Sequence, residues 1–302
     1  MKSLAALPVL FCAAIAAPAA AQSAQDGFYT NGYAELSYYS AFGGDANTLG
    51  YAEATIGYND AASGFGGEFG IDAVTTEGDS YSALYGVVTY QSSFGKLSFG
   101  VPRAALDAYL ASVPSVGGLQ IFSIAEYGTT KRSLLTSAYL LSGKDTPVGL
   151  RYDGSFGATN VGASYHRYED TDIYNLAANA QLGQTTLTGA LEHVSSGGES
   201  DTRYFLGAEA KLGQITAGLL YSGNFAFSND AAVQAYAKYK PMDQLELTAT
   251  ALNIDFGAGS NTLYGLAADY SFSKGVYVKA GFADTFEGST DASYNLAVGL
   301  RF

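Results

Sequence analysis

The stretch Tyr294-Asn295-Leu296-Ala297-Val298-Gly299-Leu300-Arg301-Phe302 alternates large apolar side chains with small or polar ones up to an aromatic terminus. In an extended chain successive side chains point to opposite faces. Tyr294, Leu296, Val298, Leu300 and Phe302 therefore share one face, and Asn295, Ala297, Gly299 and Arg301 the other. A soluble sheet would bury the apolar face against a core, but the same pattern recurs along the chain without helices to cover it. A closed barrel with its oily side against lipid accounts for both faces.

Working back from this strand, alternation and turn chemistry predict strands at 28-40, 49-58, 65-74, 80-91, 96-102, 147-153, 160-168, 173-182, 185-194, 202-212, 214-222, 231-240, 243-254, 261-272, 275-284 and 290-302. The expected fold is all-β: a transmembrane antiparallel β-barrel of about 16 strands, an even number as a bacterial single-chain barrel requires. The connections alternate in length. Ala41 to Thr48, Thr75 to Asp79, Glu169 to Asp172, Ser195 to Asp201, Gly223 to Asp230, Asp255 to Ser260 and Thr285 to Ser289 are the longer set. Gly183-Gln184, Gly213, Pro241-Met242 and Ser273-Lys274 belong to the short one, while Asn59 to Gly64 and Gly154 to Thr159 are longer than ideal for it. Asp and Glu concentrate in or beside the longer set, which reads either as solvated loops or as a rim facing divalent cations and lipopolysaccharide. Tyr and Phe gather near strand ends, where amphipathic rings suit the two membrane interfaces.

One connection breaks the pattern. The residues between the strands ending near Pro102 and starting at Pro147 are too many for a structureless loop without a function.

At the amino end, Lys2 precedes an apolar run from Leu4 to Ala17, and Ala19-Ala20-Ala21 offers a cleavage site before Gln22. This is the order of a secretory signal peptide over residues 1-21, leaving a barrel domain of residues 22-302. Phe11 is too bulky for the residue that precedes a lipidated cysteine, so Cys12, the single cysteine, leaves with the peptide. The exported chain then has no disulfide, and no later apolar run is long enough for a membrane helix. With 28 acidic residues against 15 basic ones, Lys2 included, nucleic acid is excluded as a partner.

Two passages carry a family resemblance. Phe94-Gly95-Lys96-Leu97-Ser98-Phe99-Gly100 followed by Ala104-Ala105-Leu106-Asp107 resembles the approach to the third loop of general diffusion porins, in particular the short-chain alphaproteobacterial type. Thr146-Pro147-Val148-Gly149-Leu150-Arg151-Tyr152, followed by Gly154-Ser155-Phe156-Gly157, is similar to the strand after that loop. The terminal strand ending in Phe302 resembles the signal read by the outer-membrane assembly machinery.

The resemblance implies a homotrimeric barrel in the outer membrane, in contact with lipid and lipopolysaccharide, whose third loop (103-146) folds into the lumen. It also implies acids on that loop facing bases on the wall. The loop offers Asp107 and Glu126 as acids and Arg103, Lys131 and Arg132 as bases, with Arg151 on the adjoining strand. Further lumen-facing charges are expected at Glu35, Glu53, Glu68, Lys211, Lys238, Lys279 and Arg301. The Pro-Glu-Phe-Gly-Gly-Asp signature of enterobacterial third loops is missing, and Glu35, Glu53, Glu68 and Asp72 make the first inward positions acidic.

Catalysis has little support. His166 and His193 are the only histidines and read as rim-exposed polar residues, and no Gly-x-Ser-x-Gly elbow, phosphate loop or Cys/His metal spacing occurs. Glu169 to Asp172 and Asp284 to Asp291 could offer oxygens to calcium, but without the spacing of a dedicated site, and no cofactor is expected. The expected function is passive diffusion of small hydrophilic solutes and ions, with weak cation selectivity. A solute-specific channel, for which Tyr109, Tyr127 and Tyr139 could supply an aromatic track, and a plugged barrel used as an adhesin or anchor remain open.

Overall fold

Alternation along the chain closes into a single sheet. The structure is a computed structural model and describes residues 26-124, 131-142, 146-224, 230-255, 257, 259-272, 275-286 and 292-302. The strands are β1 Gly27–Ser40, β2 Asn47–Asn59, β3 Phe65–Thr75, β4 Ser80–Ser92, β5 Gly95–Val101, β6 Val148–Phe156, β7 Thr159–Tyr168, β8 Thr171–Leu182, β9 Thr185–Ser196, β10 Glu199–Leu212, β11 Ile215–Gly223, β12 Ala231–Met242, β13 Leu245–Asp255, β14 Ser260–Ser271, β15 Val276–Thr285 and β16 Ser293–Arg301. Each pairs antiparallel with its sequence neighbours, and β16 pairs with β1 to close the ring. Closure leaves no strand with a wholly unpaired edge, which in lipid would carry unsatisfied backbone groups. Among the described residues no helix is long and apolar enough to cross a membrane.

Parity decides which side chain faces where. On β16, Leu296 is 63% exposed on the outer surface, while Ala297 beside it is 3% exposed toward the interior. Leu36, Leu84, Val88, Phe99, Leu150, Leu176, Leu206, Leu219 and Leu266 continue the outward apolar band around the ring. Two aromatic belts flank it. Phe28, Tyr58, Phe65, Tyr90, Phe156, Tyr239 and Phe272 ring the rim that carries the chain termini, and Tyr38, Tyr174, Tyr204, Phe282, Phe286 and Tyr294 ring the distal rim.

The ladders run further than alternation predicts. Pairing continues to Tyr168↔Thr171 and Ser196↔Glu199, so the expected loops at Glu169 to Asp172 and Ser195 to Asp201 shrink to two-residue turns. Glu169 and the pair Gly197-Gly198 take the positive φ that tight hairpins need. Gly154 to Thr159 likewise tightens to a turn at Gly157-Ala158.

Among the described residues, the connection from β5 to β6 is the one helical region. It holds α1 Ala105–Leu110, a short 3-10 turn Val116–Gly118, α2 Gln120–Ile124 and α3 Leu134–Ser142. The signal-peptide region, Glu126, Tyr127 and the acids Glu287 and Asp291 lie outside the described residues.

Candidate functional site

The third connection packs against the inside of the wall through three apolar clusters. Leu135, Tyr139 and Leu140 meet Leu49, Tyr51, Val74, Ala83, Tyr85, Tyr168 and Ile173 on β2, β3, β4, β7 and β8. Leu106, Leu110 and Val113 meet Ala177, Ala190, Phe205, Leu220 and Tyr236 on β8 to β12. Val116, Leu119 and Phe122 meet Ala232, Leu252, Ile254, Leu263 and Ala283 on β12 to β15. Those wall residues occupy inward positions in the distal half of the barrel. The loop is therefore seated on the inner face of the wall by apolar packing, and each fully buried Leu contributes about 1.5–3 kcal/mol to holding it. Phe42 from the first connection stacks on Phe122 with ring centroids 5.4 Å apart. Gly117 lets the loop reach the wall: its N–H donates to Thr250 Oγ1 at 3.0 Å, and a Cβ there would stand 2.2 Å from the Phe282 carbonyl.

Polar contacts fix the loop's orientation. At its root, Arg103 Nη1 reaches the Asp72 carboxylate at 2.6 Å and lies 3.9 Å from Glu53, with its guanidinium 4.2 Å over the Tyr85 ring. Arg151 pairs with Asp153 at 2.7 Å and donates to the carbonyls of Arg103 and Ala104. The α3 amino end is held by two carboxylates. Glu192 on β9 accepts from the Leu134 N–H at 3.0 Å and from the Ser133 hydroxyl, while its charge is met by the fully buried Arg203 of β10. Asp107 accepts from the Ser133 N–H at 2.7 Å and from the Thr136 hydroxyl. Burial of Asp107 within the loop pushes its carboxyl above the usual range, outweighing those two donors.

This placement corrects the expected constriction. Asp107 is an internal brace of the loop because its two oxygens accept from Ser133 and Thr136 at the start of α3. Arg151 is turned to the loop root by Asp153 and does not oppose Asp107. Arg103 belongs to a wall cluster with Asp72 and Glu53. Tyr139 donates to the Leu84 carbonyl at 2.9 Å from within the core, and Tyr109 packs on Gly162, so neither joins an aromatic track. His166 is not at an exposed rim: it is fully buried on the inward face of β7, 2.9 Å from the Pro102 carbonyl. His193 faces outward and meets Thr202 Oγ1 at 2.8 Å.

Lys131 and Arg132 do border water. They line a cavity between the loop residues Ser112 to Ser115 and the wall formed by β12 to β16 and β1. Its other charged walls are Glu35, Lys238, Glu246, Asp269, Lys279 and Arg301. Glu35 accepts from Lys279 Nζ at 2.6 Å, Tyr277 Oη at 2.9 Å and Ser37 Oγ at 2.9 Å. Arg301 pairs with Asp269 and stacks 3.8 Å from the centroid of Tyr277. Glu68 and Lys96, 2.8 Å apart, and Lys211 face the wider space nearer the terminal rim. Glu246 and Asp269 were not singled out from the sequence, although they stand at inward positions by the same parity as Lys238 and Lys279. Glu192 and Arg203 could be found in the same way, since inward charges opposite each other on β9 and β10 are registered neighbours.

The calcium candidates dissolve where they are described. Asp172 is taken by Arg167 at 3.1 Å and Tyr165 at 2.7 Å, and no group of three metal-binding side chains occurs among the described residues.

A closed sixteen-strand wall, an outward apolar band and a third connection packed on the inner wall are now joined by a family match: the Gram-negative porin model covers residues 5–290. The chain belongs to the Gram-negative porin family. No curated protein matches it. Among solved structures, this porin resembles two engineered mutants of Rhodopseudomonas blastica porin, each 21% identical with a TM-score of 0.70, covering 91% of this chain and 100% of theirs. A further mutant of the same porin matches with 20% identity and a TM-score of 0.67 over the same shares. The porin is thus an outer-membrane diffusion channel and not an enzyme.

Proposed function

We propose that this channel passes small hydrophilic solutes and ions through the water-filled space along β12 to β16 and β1, and that it favours anions there. The observation that carries the preference is the cavity lining: Lys131, Arg132, Lys238, Lys279 and Arg301 against Glu35, Glu246 and Asp269. The weak cation selectivity expected from the sequence rested on Asp107, Glu126 and the acidic connections. Asp107 is consumed inside the loop, and exposed loop charge is screened beyond about 8 Å at physiological ionic strength. Selectivity follows the charges that an ion passes within a few ångströms.

Family membership supports a homotrimer set in outer-membrane lipid and lipopolysaccharide, exported with residues 1-21 removed and inserted by the outer-membrane assembly machinery. Reversal potential in a potassium chloride gradient across a planar bilayer tests the preference. A potential with the sign of chloride permeation is expected, and the opposite sign refutes this reading.

A further inference from the structure

We propose that the lumen contains a binding site for a phosphate-bearing small solute, held between Lys131 on the third connection and Lys238 on β12. The site deepens the anion-favouring reading above and rests on it.

The argument begins with which cations already have a counter-charge. Glu35 is committed to Lys279, Asp269 to Arg301, and Glu246 to Lys240 at 3.2 Å. Arg132 is held in its charged form, against the cost of burial, by Tyr51 and Asp107. Lys131 and Lys238 are different. Lys131 Nζ donates to the Val113 carbonyl at 2.8 Å and to Ser115 Oγ at 3.3 Å, and Lys238 Nζ donates to the Ser112 carbonyl at 2.5 Å. Among the described residues, neither ammonium has a carboxylate within 4.0 Å. Carbonyls orient an ammonium but do not neutralise it.

The two lysines thus clasp one short segment, residues 112-115, from the loop side and the wall side, and both border the same cavity. Lys131 is 8% exposed, a position where an unpaired ammonium is costly. An ammonium has three donors. Lys131 and Lys238 each keep at least one to spare beyond the bonds above. Lys279 and Arg301, each paired with its own carboxylate, border the same cavity.

An anion completes this arrangement, and its valence and shape can be argued. Five basic side chains line the cavity against three carboxylates, an excess that suits a dianion. A tetrahedral anion presents oxygens in several directions, so it can accept from the loop and from the wall together. A planar monocarboxylate carries half the charge and addresses fewer directions. Phosphate and phosphomonoesters share the required chemistry, and charge-assisted bonds of this kind are the strong ones.

Isothermal titration of inorganic phosphate into the detergent-solubilised full barrel, at about pH 7, where a bound dianion favours the charged form of Lys131, tests the site without requiring conduction. A saturable heat is expected, and Lys238→Gln should raise the apparent dissociation constant about tenfold, the effect of losing one charge-assisted bond. Lys131→Met should weaken binding to a similar degree, whereas Arg167→Gln, which removes a positive charge from the outer surface, should leave it unchanged. Glucose 6-phosphate should compete with phosphate if a phosphomonoester fits, and failure to compete restricts the site to the inorganic anion. No saturable heat with the wild type overturns the proposal, as does equal weakening by Lys238→Gln and Arg167→Gln. The underlying reading is judged separately by reversal potential. An anion-selective channel that does not bind phosphate removes the site alone, and a cation-selective wild type removes the reading on which it rests.

Discussion

Lys279 on β15 and Glu35 on β1 form a 2.6 Å ion pair across the inner surface of β16, the strand that closes the barrel. The pair can form because the intervening residues are small. Ala297 lies between Lys279 and Ser37, and Gly299 lies between Tyr277 and Glu35. A Cβ on Gly299 would stand 2.3 Å from the Tyr277 ring, whose hydroxyl also donates to Glu35. The seam of the barrel and the charge of its lumen are therefore set by the same side chains.

Glu35→Gln should raise the chloride-to-potassium permeability ratio. It removes the carboxylate that cancels Lys279 while leaving an oxygen to accept from Tyr277. A shift of reversal potential toward chloride is the expected measurement, and an unchanged potential would show that Lys279 does not border the ion path.

Leu296→Arg should destabilise the barrel by about 2–4 kcal/mol, because the outward side chain would face mid-bilayer lipid. Thr188→Arg, at an inward position of β9, should cost no more than about 1 kcal/mol, since the lumen near the terminal rim is wet. Reversible refolding into lipid vesicles compares the two, and equal costs would contradict the assignment of faces.

Glu192→Gln should loosen the third connection. The substitution removes the carboxylate that pairs with the fully buried Arg203, and losing one partner of a buried pair costs about 3–5 kcal/mol. It also weakens the anchor of α3. The expected results are a lower heat-modifiability midpoint and noisier single-channel current, because loop and wall share this carboxylate.

Lys131→Met should stabilise the barrel at neutral pH and flatten its response to base. Burial, reinforced by Arg132, Lys238 and Lys279, holds the Lys131 ammonium well below the ordinary lysine value of 10.5. A base with a depressed native pKa binds fewer protons folded than unfolded, so stability rises with pH between the native value and about 10.5. Wild-type melting midpoints should climb through that window, and those of the variant should not. Parallel curves would mean that Lys131 is not buried as an unpaired cation.

Deleting Phe302 should reduce the yield of heat-modifiable barrel in outer-membrane fractions while leaving export intact. Phe302 exchanges backbone bonds of 3.0 and 2.8 Å with Gly32, so its loss opens the last rung of the closing ladder besides removing a terminal aromatic ring. Normal yield would show that assembly reads neither feature.

The strands were legible because alternation is a local signal with a physical cause on both faces. Leu296 and Ala297 differ in environment for the same reason that they differ in sequence, and the inward parity of Glu35, Glu68, Lys238 and Lys279 followed from counting by twos. The two-residue turns at Glu169-Asp170 and Gly197-Gly198 were harder to see, since polar residues near a strand end pair as readily as they loop. Asp107 was misread for a different reason. An acid on a loop looks like an acid facing water until a helix from the same loop folds back over it and takes both oxygens.

By itself, the sequence determined the approximate limits of the strands and the inward or outward side of each charge, since both depend on neighbours one or two positions away, and an even set of two-faced strands with no helix to cover them pointed to a closed barrel. Only the tertiary structure decided which inward charges face water and which are spent on one another. Pairs such as Lys279 with Glu35 and Glu192 with Ser133 join residues 244 and 59 positions apart, and their partners are set by closure of the ring and by the path of the third connection inside it.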